Sequence, residues 1–288
     1  MITFRRILFP VDFSERCTAV VPSVQAMVKR FGSELTVLHV VDLAQSVGIA
    51  PPEAAAWATL IGADSLRENG KIALERFIAR EFPGVNLKAD SAEGDPATVI
   101  VDYARDHAAD LIMMPTSGVG RFRRMLLGSV TAKVLHDTAG PVWTGVHSEE
   151  IAAHSPDRWK HVLCALGDEA RDLPTLRWAA EFAKEQKLDL RLVHAVVGAE
   201  GCEGNPSLSE FLFSVACERI DKLQGQAGTD FESCLHGGKV GRVVRQAALG
   251  HFADIVIIGR GVIQEPFGRF RSAAYDIVRE APCPVISV

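Results

Sequence analysis

The sequence predicts two α/β domains in tandem, each built on a parallel sheet with helices on both faces. Three observations lead there. First, 288 residues, at roughly 100–200 residues per domain, suggest two domains. Second, blocks of the first half recur in order in the second. RRILFPVDFSE (5–15) is echoed by KHVLCALGDEA (160–170), and ELTVLHVV (34–41) by DLRLVHAVV (189–197). DYARDHAADLIMMP (102–115) returns as RQAALGHFADIVIIG (245–259), and TAKVLHDTAGPVWTG (131–145) as AAYDIVREAPCPVISV (273–288). His39 and His194 hold one place, 155 positions apart, as do Ile7 and Val162, whereas Asp110 and Asp254 are 144 apart. One such match could arise by chance, but not four in the same order. Third, near-continuous apolar runs alternate with helical patterns. Such runs mark strands buried on both faces and joined by crossover helices. The domains are expected at 1–147 and 159–288, joined by a polar stretch around Pro156.

Taken in order, RILFP (6–10) is the first strand. Residues 14–31 form a helix with Ser14 as N-cap, and Pro22 inside it argues for a kink. Residues 34–41 are the second strand, and 52–82 a long helix with a break at Gly62. Residues 86–91 are a weak third strand. Asp95-Pro96 starts the next helix, because Asp caps and Pro suits the first helical position, and it runs to Asp106. DLIMMP is the fourth strand, Ser129–His136 a helix, and GPVWTG the last strand.

Composition narrows the class. Hydrophobic residues are 48% and charged residues 23% of the chain, which excludes disorder for most of it. A net charge of −5 disfavours nucleic acid as a partner. No apolar run is long enough for a membrane span, and Pro10 and Asp12 interrupt the N-terminal apolar stretch too early for a signal peptide. The six cysteines form no C-x-x-C pair and read as reduced thiols of a cytoplasmic protein.

An open parallel sheet binds ligands beyond its C-terminal strand ends. Three segments mark such ends in the first half: Pro10-Val11-Asp12, Val40-Val41-Asp42, and the loop from Pro115 to Val134. That loop holds Gly118, Gly120 and Gly128, then Ser129 opening a helix. Glycines let backbone N–H groups approach a phosphate, and a helix N-terminus adds donors and partial positive charge. The plain alternative is a glycine turn followed by an N-capping serine. Neither a P-loop nor a dinucleotide fingerprint is present.

The loop resembles the universal stress protein family, whose nucleotide-binding members carry G-x2-G-x9-G-[ST] after strand four. Gly118, nine residues and then Gly128-Ser129 match its later part, and Pro115 stands at the first glycine. Pro10-Val11-Asp12-Phe13-Ser14 matches the family's P-x-D-[FG]-S, and Leu38-His39-Val40 its L-H-V. The resemblance spans both halves and implies five-stranded, doubly wound sheets of order 3-2-1-4-5. It implies an ATP-binding stress protein in which Asp12 and Val40 hold the adenine and ribose, with Pro10, Val11 and Met114 also among the nucleotide-binding residues. Pro115, Gly118, Gly128, Ser129 and the N–H of Val130 would line the phosphates. Any Mg2+ would ride on the phosphates.

The second half departs from this pattern. Gly167 stands at the place of Asp12, with Asp168 one position late, while Gly259 and Gly261 survive. Counting back from Pro284 puts Arg271 at the place of Gly128 and Ser272 at that of Ser129. Arg271 would either block a phosphate or bind an anion itself, and the second half is expected to be a degenerate copy. Arg121, Arg123 and Arg124, echoed by Arg269 and Arg271, either neutralise phosphates or are a solvated loop. His39 and His194 fit strand-end structural histidines better than catalytic bases. The final strands are expected to pair within the chain as a pseudo-dimer, with a homodimer of whole chains beyond it. The function expected is nucleotide-dependent binding or signalling to protein partners. The alternatives are a scaffold without ATP and a slow ATP hydrolase.

Overall fold

The computed structural model describes residues 2–43, 52–116, 127–145, 156–167, 169–201, 206–260 and 273–288. The chain divides into two compact units, one of Thr3–Arg123 with Gly128–Val142, the other built mainly from Trp143–Val288. The first repeat runs β1 (Arg6–Val11), α1 (Glu15–Phe31), β2 (Glu34–Val41), α2 (Pro52–Glu81), β3 (Leu87–Glu93) and α3 (Pro96–Asp106). It ends with β4 (Leu111–Met114), α4 (Ser129–Asp137) and β5 (Val142–Thr144). The second runs β6 (His161–Leu166), α5 (Glu169–Gln186), β7 (Asp189–Val196), α6 (Pro206–Ala227) and β8 (Ser233–Gly237). It closes with α7 (Val240–Gly250), β9 (Ile255–Ile258), α8 (Ala273–Glu280) and β10 (Val285–Ser287). Strand order is β3-β2-β1-β4-β5 in the first repeat and β8-β7-β6-β9-β10 in the second, the order 3-2-1-4-5 twice.

Burial explains the order. Leu8, Phe9, Leu111, Ile112 and Met113 are essentially inaccessible to solvent, so β1 and β4 are central. In β3 only Leu87, Asp90 and Ala92 are even half-buried, as suits an edge strand. Registers confirm the repeat at single-residue level. Ile7 pairs with Leu35 and Leu111, and Val162 pairs with Leu190 and Ile255. At the N-terminal strand ends, Asp110 Oδ2 accepts the N–H groups of Arg5 and Arg6 at 3.0 and 2.8 Å. Asp254 Oδ2 does the same for Lys160 and His161 at 2.7 and 2.9 Å. The two aspartates recur because each satisfies the donors that start the central strand.

Three expectations change. Val11 lies within β1, which extends one residue beyond the expected RILFP, rather than after it. The helix over 52–81 is continuous, without a break at Gly62. Helix α1 continues through Pro22 as one helix. Among the described residues no helix is long and apolar enough to cross a membrane. Cys17, Cys164, Cys217, Cys234 and Cys283 are free thiols.

Candidate functional site

The C-terminal ends of β1 and β4 form the switch point of the first unit, because β2 lies to one side of β1 and β4 to the other. The β1–β4 ladder pairs only Ile7 with Leu111 and Leu8 with Ile112. It stops two residues before Pro10, which has no N–H to continue it. On the other side β1 stays paired with β2 up to Val11–His39. The sheet thus parts between β1 and β4 just where their chains exit.

Asp12 follows β1 and is exposed. Its Oδ1 accepts from the Ser14 backbone N–H at 3.0 Å and from the Ser14 hydroxyl at 2.6 Å. Ser14 Oγ in turn accepts from the Cys17 N–H at 3.1 Å, as the N-cap of α1. The carboxylate therefore orients the cap rather than capping the helix itself. Phe13 between them has φ 61°, a left-handed conformation that costs a non-glycine residue roughly 1–2 kcal/mol. Its ring lies 4.5 Å from that of His39 and 5.7 Å from that of Phe77, centroid to centroid, which holds it there. A positive φ is the conformation that glycine adopts without cost.

His39 Nδ1 meets the Val11 carbonyl at 3.0 Å. A carbonyl only accepts, so Nδ1 carries the proton and the ring clamps the exit of β2 to that of β1. His194 Nδ1 makes the same bond to Leu166 at 2.9 Å. Both histidines are structural ties at equivalent strand ends. Val40, one residue beyond His39, is half-buried in β2 opposite Ala92. Cys17 is fully buried. Burial, and secondarily the Asp12 carboxylate, push its thiol up to about 12 against the pull of backbone hydrogen bonds from Asp12 and Phe13. It is a packing group at neutral pH, not a nucleophile.

Met114 is buried at the end of β4. The Pro115 carbonyl accepts from the Thr131 hydroxyl at 3.1 Å. The Thr116 carbonyl accepts from the Gly128 N–H at 2.8 Å. These two bonds fasten the start of α4 to the exit of β4. Gly128 is the N-cap of α4, with φ −64° and ψ 148°, and among the described residues no side chain caps that helix. Ser129 is thus the first helical residue, not the cap. By contrast Ser14 caps α1 and Asp95 caps α3 through their side chains. The first turn of α4 is left with backbone donors at Ser129 and Val130 facing the end of the helix, the arrangement that receives anions. Ser129 itself is exposed. Gly118, Gly120, Arg121, Arg123, Arg124, Asp168, Gly261, Arg269, Arg271 and Ser272 lie outside the described residues.

The equivalent place in the second unit is built differently. The β6–β9 ladder runs through four pairs, from Val162–Ile255 to Ala165–Ile258. Gly167 occupies the Asp12 position, and its N–H donates to Asp172 Oδ1 at 2.8 Å. Asp172 is buried and ion-paired through Oδ2 with Arg219 of α6. At Gly259, the counterpart of Pro115, a Cβ would overlap the Thr175 hydroxyl. That glycine is explained by close packing of α5. Arg260 follows it, is only 8% exposed, and donates its backbone N–H to the Val288 carbonyl at 2.8 Å. Sequence reasoning did not single out Asp172, Arg219 or Arg260. For Asp172 and Arg260 the one signal was positional: charged residues at places that hold Cys17 and Thr116 in the first repeat.

Known proteins resemble this chain over both repeats. The profile of the universal stress protein family matches residues 3–144 and again 158–288. A universal stress protein of Methanocaldococcus jannaschii is 33% identical over 141 residues, covering 48% of this chain and 80% of its own. One from Mycolicibacterium smegmatis is 26% identical over 194 residues, 65% of this chain and 63% of its own. The crystal structure of a universal stress protein from Archaeoglobus fulgidus shares the fold with a TM-score of 0.69 at 21% identity, covering 100% of this chain and 97% of that one. With its motifs, its strand order and its twofold match, the chain belongs to the universal stress protein family, as a tandem of two such domains.

Proposed function

We propose that the first unit binds an adenine nucleotide, ATP in the first instance, and that the second unit does not. The observation that carries this reading is the start of α4. Its N-cap is a glycine with no side chain to cap it, it is fastened to the exit of β4 by the Gly128–Thr116 bond, and it belongs to the unit whose β1–β4 ladder ends early. Phosphate oxygens would accept from the N–H groups of Ser129 and Val130, with Gly128 and Gly118 allowing close approach. Ribose or base donors would bind the Asp12 carboxylate, of which only Oδ1 is engaged among the described residues. Pro10, Val11, Val40, Met114 and Pro115 would line the pocket between them. Pro115 contributes through its carbonyl, which orients Thr131, so its missing N–H does not undo the cradle.

Among the described residues no group of three or more His, Cys, Asp or Glu side chains is set to hold a metal ion. Mg2+ would therefore ride on the nucleotide phosphates, completed by water. The reading is binding rather than turnover. The His39 Nδ1–H and the Cys17 thiol, both near the β1 exit, are held in structural roles. Nucleotide occupancy would then be read by protein partners, in a cytoplasmic, dimeric stress protein.

The test is mass spectrometry of the small molecules released when freshly purified protein is denatured. Co-purified ATP or ADP, near one equivalent per chain, is the expected result. An empty protein that also shows no thermal shift in millimolar ATP would support the scaffold reading instead.

A further inference from the structure

The chain changes unit at the peptide that leads into α4. Leu127 groups with the second unit, as does Tyr275, and Gly128 groups with the first. Both polar groups of that peptide are engaged. The Leu127 carbonyl accepts from the Tyr275 hydroxyl at 3.3 Å, and the Gly128 N–H donates to the Thr116 carbonyl at 2.8 Å. A peptide unit is planar, with its C=O and N–H pointing to opposite sides. Two bonds on opposite sides therefore fix the plane, where one would leave it free to tilt. The Leu127 side chain is buried as well.

Gly128 needs this hold. A glycine has no Cβ to confine its backbone, yet here it must keep φ −64° and ψ 148° to start the helix. The N–H groups of Ser129 and Val130 come directly after it, so their direction follows from the plane of the peptide before them. Tyr275 stands on a firm base. It lies on α8, whose Ile277 and Val278 are buried. The Asp276 carbonyl oxygen is 3.0 Å from where a Cβ on Gly241 of α7 would lie, so the two helices meet closely. Arg245 Nη1 of α7 also donates to the Glu280 carbonyl at 3.2 Å, at the end of α8. Counting back from Pro284 against Pro141 puts Tyr275 at the place of Ala132. Alanine has no hydroxyl, so the first repeat carries no side chain at that place able to make such a bond.

We propose that Tyr275 is a positioning residue of the phosphate cradle: by holding the Leu127 carbonyl it sets how the start of α4 presents its N–H groups. This rests on the nucleotide reading of the first unit and extends it. The second repeat, which binds no nucleotide in that reading, supplies a group on which nucleotide affinity in the first depends. Tyr275 touches no ligand and acts through the Leu127–Gly128 peptide.

The experiment compares wild type with Tyr275→Phe, which keeps the ring and removes the hydroxyl. Calorimetric titration of the full chain with ATP should show affinity reduced about three- to tenfold in the variant, the loss of one neutral hydrogen bond. The bond is longer than the usual O–H···O distance, which keeps the effect in this range. Adenosine has no phosphate, and its affinity, measured by competition with ATP, should be the same in both proteins. Without nucleotide, the Gly128 amide should exchange its hydrogen faster in Tyr275→Phe. Equal ATP affinity in the two proteins overturns the proposal, and so does an unchanged Gly128 amide. ATP and adenosine weakened alike would give Tyr275 a general structural role and overturn it too. A wild type that does not bind ATP overturns the nucleotide reading and this proposal together, whereas a wild type that binds, beside an equal variant, overturns this proposal alone.

Discussion

The β1–β4 ladder holds two residue pairs and the β6–β9 ladder holds four. The last residue of β6 in the longer ladder is Ala165, and its counterpart in β1 is Pro10. A proline has no N–H to add to a ladder, so one residue fixes how far the central strands stay joined. The first unit parts early and presents a helix whose cap is a bare glycine. The second stays paired to its exit and packs its own groups beside it: Thr175 against Gly259, Asp172 with Arg219, and the buried Arg260. The same topology thus leaves the strand exits parted in one repeat, as suits the nucleotide proposed there, and paired in the other. A lost motif in a duplicated domain need not leave a hole, because side chains can take over the contacts.

The comparison breaks most visibly at Arg219. Removing one partner of a buried ion pair leaves an uncompensated charge, so Arg219→Ala should cost about 3–5 kcal/mol of stability. Denaturant titration should show this loss in the transition of the second unit, with ATP affinity in the folded protein intact. A loss within experimental error would mean that Asp172 is satisfied without Arg219.

Gly128→Arg, which copies into the first unit the residue counted at that place in the second, should abolish ATP binding in calorimetry. Its φ of −64° and ψ of 148° are open to any residue, so a thermal melt should move little. Full retention of affinity would make Gly128 a turn glycine and misplace the phosphate site.

Two milder variants sharpen the picture. Asp12→Asn keeps an acceptor for Ser14 but loses the charge, so ATP should weaken by about 1–2 kcal/mol at nearly constant melting temperature. A lowered melting temperature at unchanged affinity would leave Asp12 only its role in ordering the cap. Pro10→Ala restores a backbone donor beside β4. Hydrogen exchange should show a newly protected amide at position 10, and ATP should weaken by about 1 kcal/mol as the exits close. An amide there that exchanges freely would show that Pro10 does not end the ladder.

The smallest effect lies on α3. The Lys133 ammonium beside Asp95, helped by the Thr98 hydroxyl and N–H, holds this carboxyl down to about 2. A depressed carboxylate contributes stability that is present above its unfolded value, about 3.9, and is lost as pH falls through about 2. Asp95 is 58% exposed, so screening keeps this below about 1 kcal/mol. Asp95→Asn should flatten the acid limb of the stability curve between those values and leave neutral pH almost untouched.

Much of this was legible in the sequence because it rests on local chemistry. Ser14 and Asp95 declared their helices as caps, and the repeat fixed which residues share a place, down to Asp110 and Asp254. Strand ends were less legible. Pro10 reads as a terminator, yet it sits inside β1, because β1 keeps its pairing with β2 to Val11 while losing β4. Gly128 and Ser129 were found, but their division of labour was not, since a glycine before a serine fits either as cap. Phe13 gave no sign of its left-handed backbone. The Asp172–Arg219 pair joins residues 47 positions apart, and no local pattern foretells a tertiary ion pair.

The central claim is that the two repeats are unequal in ligand binding. The most direct measurement is the stoichiometry of ATP binding to the intact chain, by calorimetry against an independently determined protein concentration. One ATP per chain, with a single class of site, is the expected result. Two equivalent sites per chain would contradict the account, because the second unit would then have opened despite its longer ladder and its own ion pair.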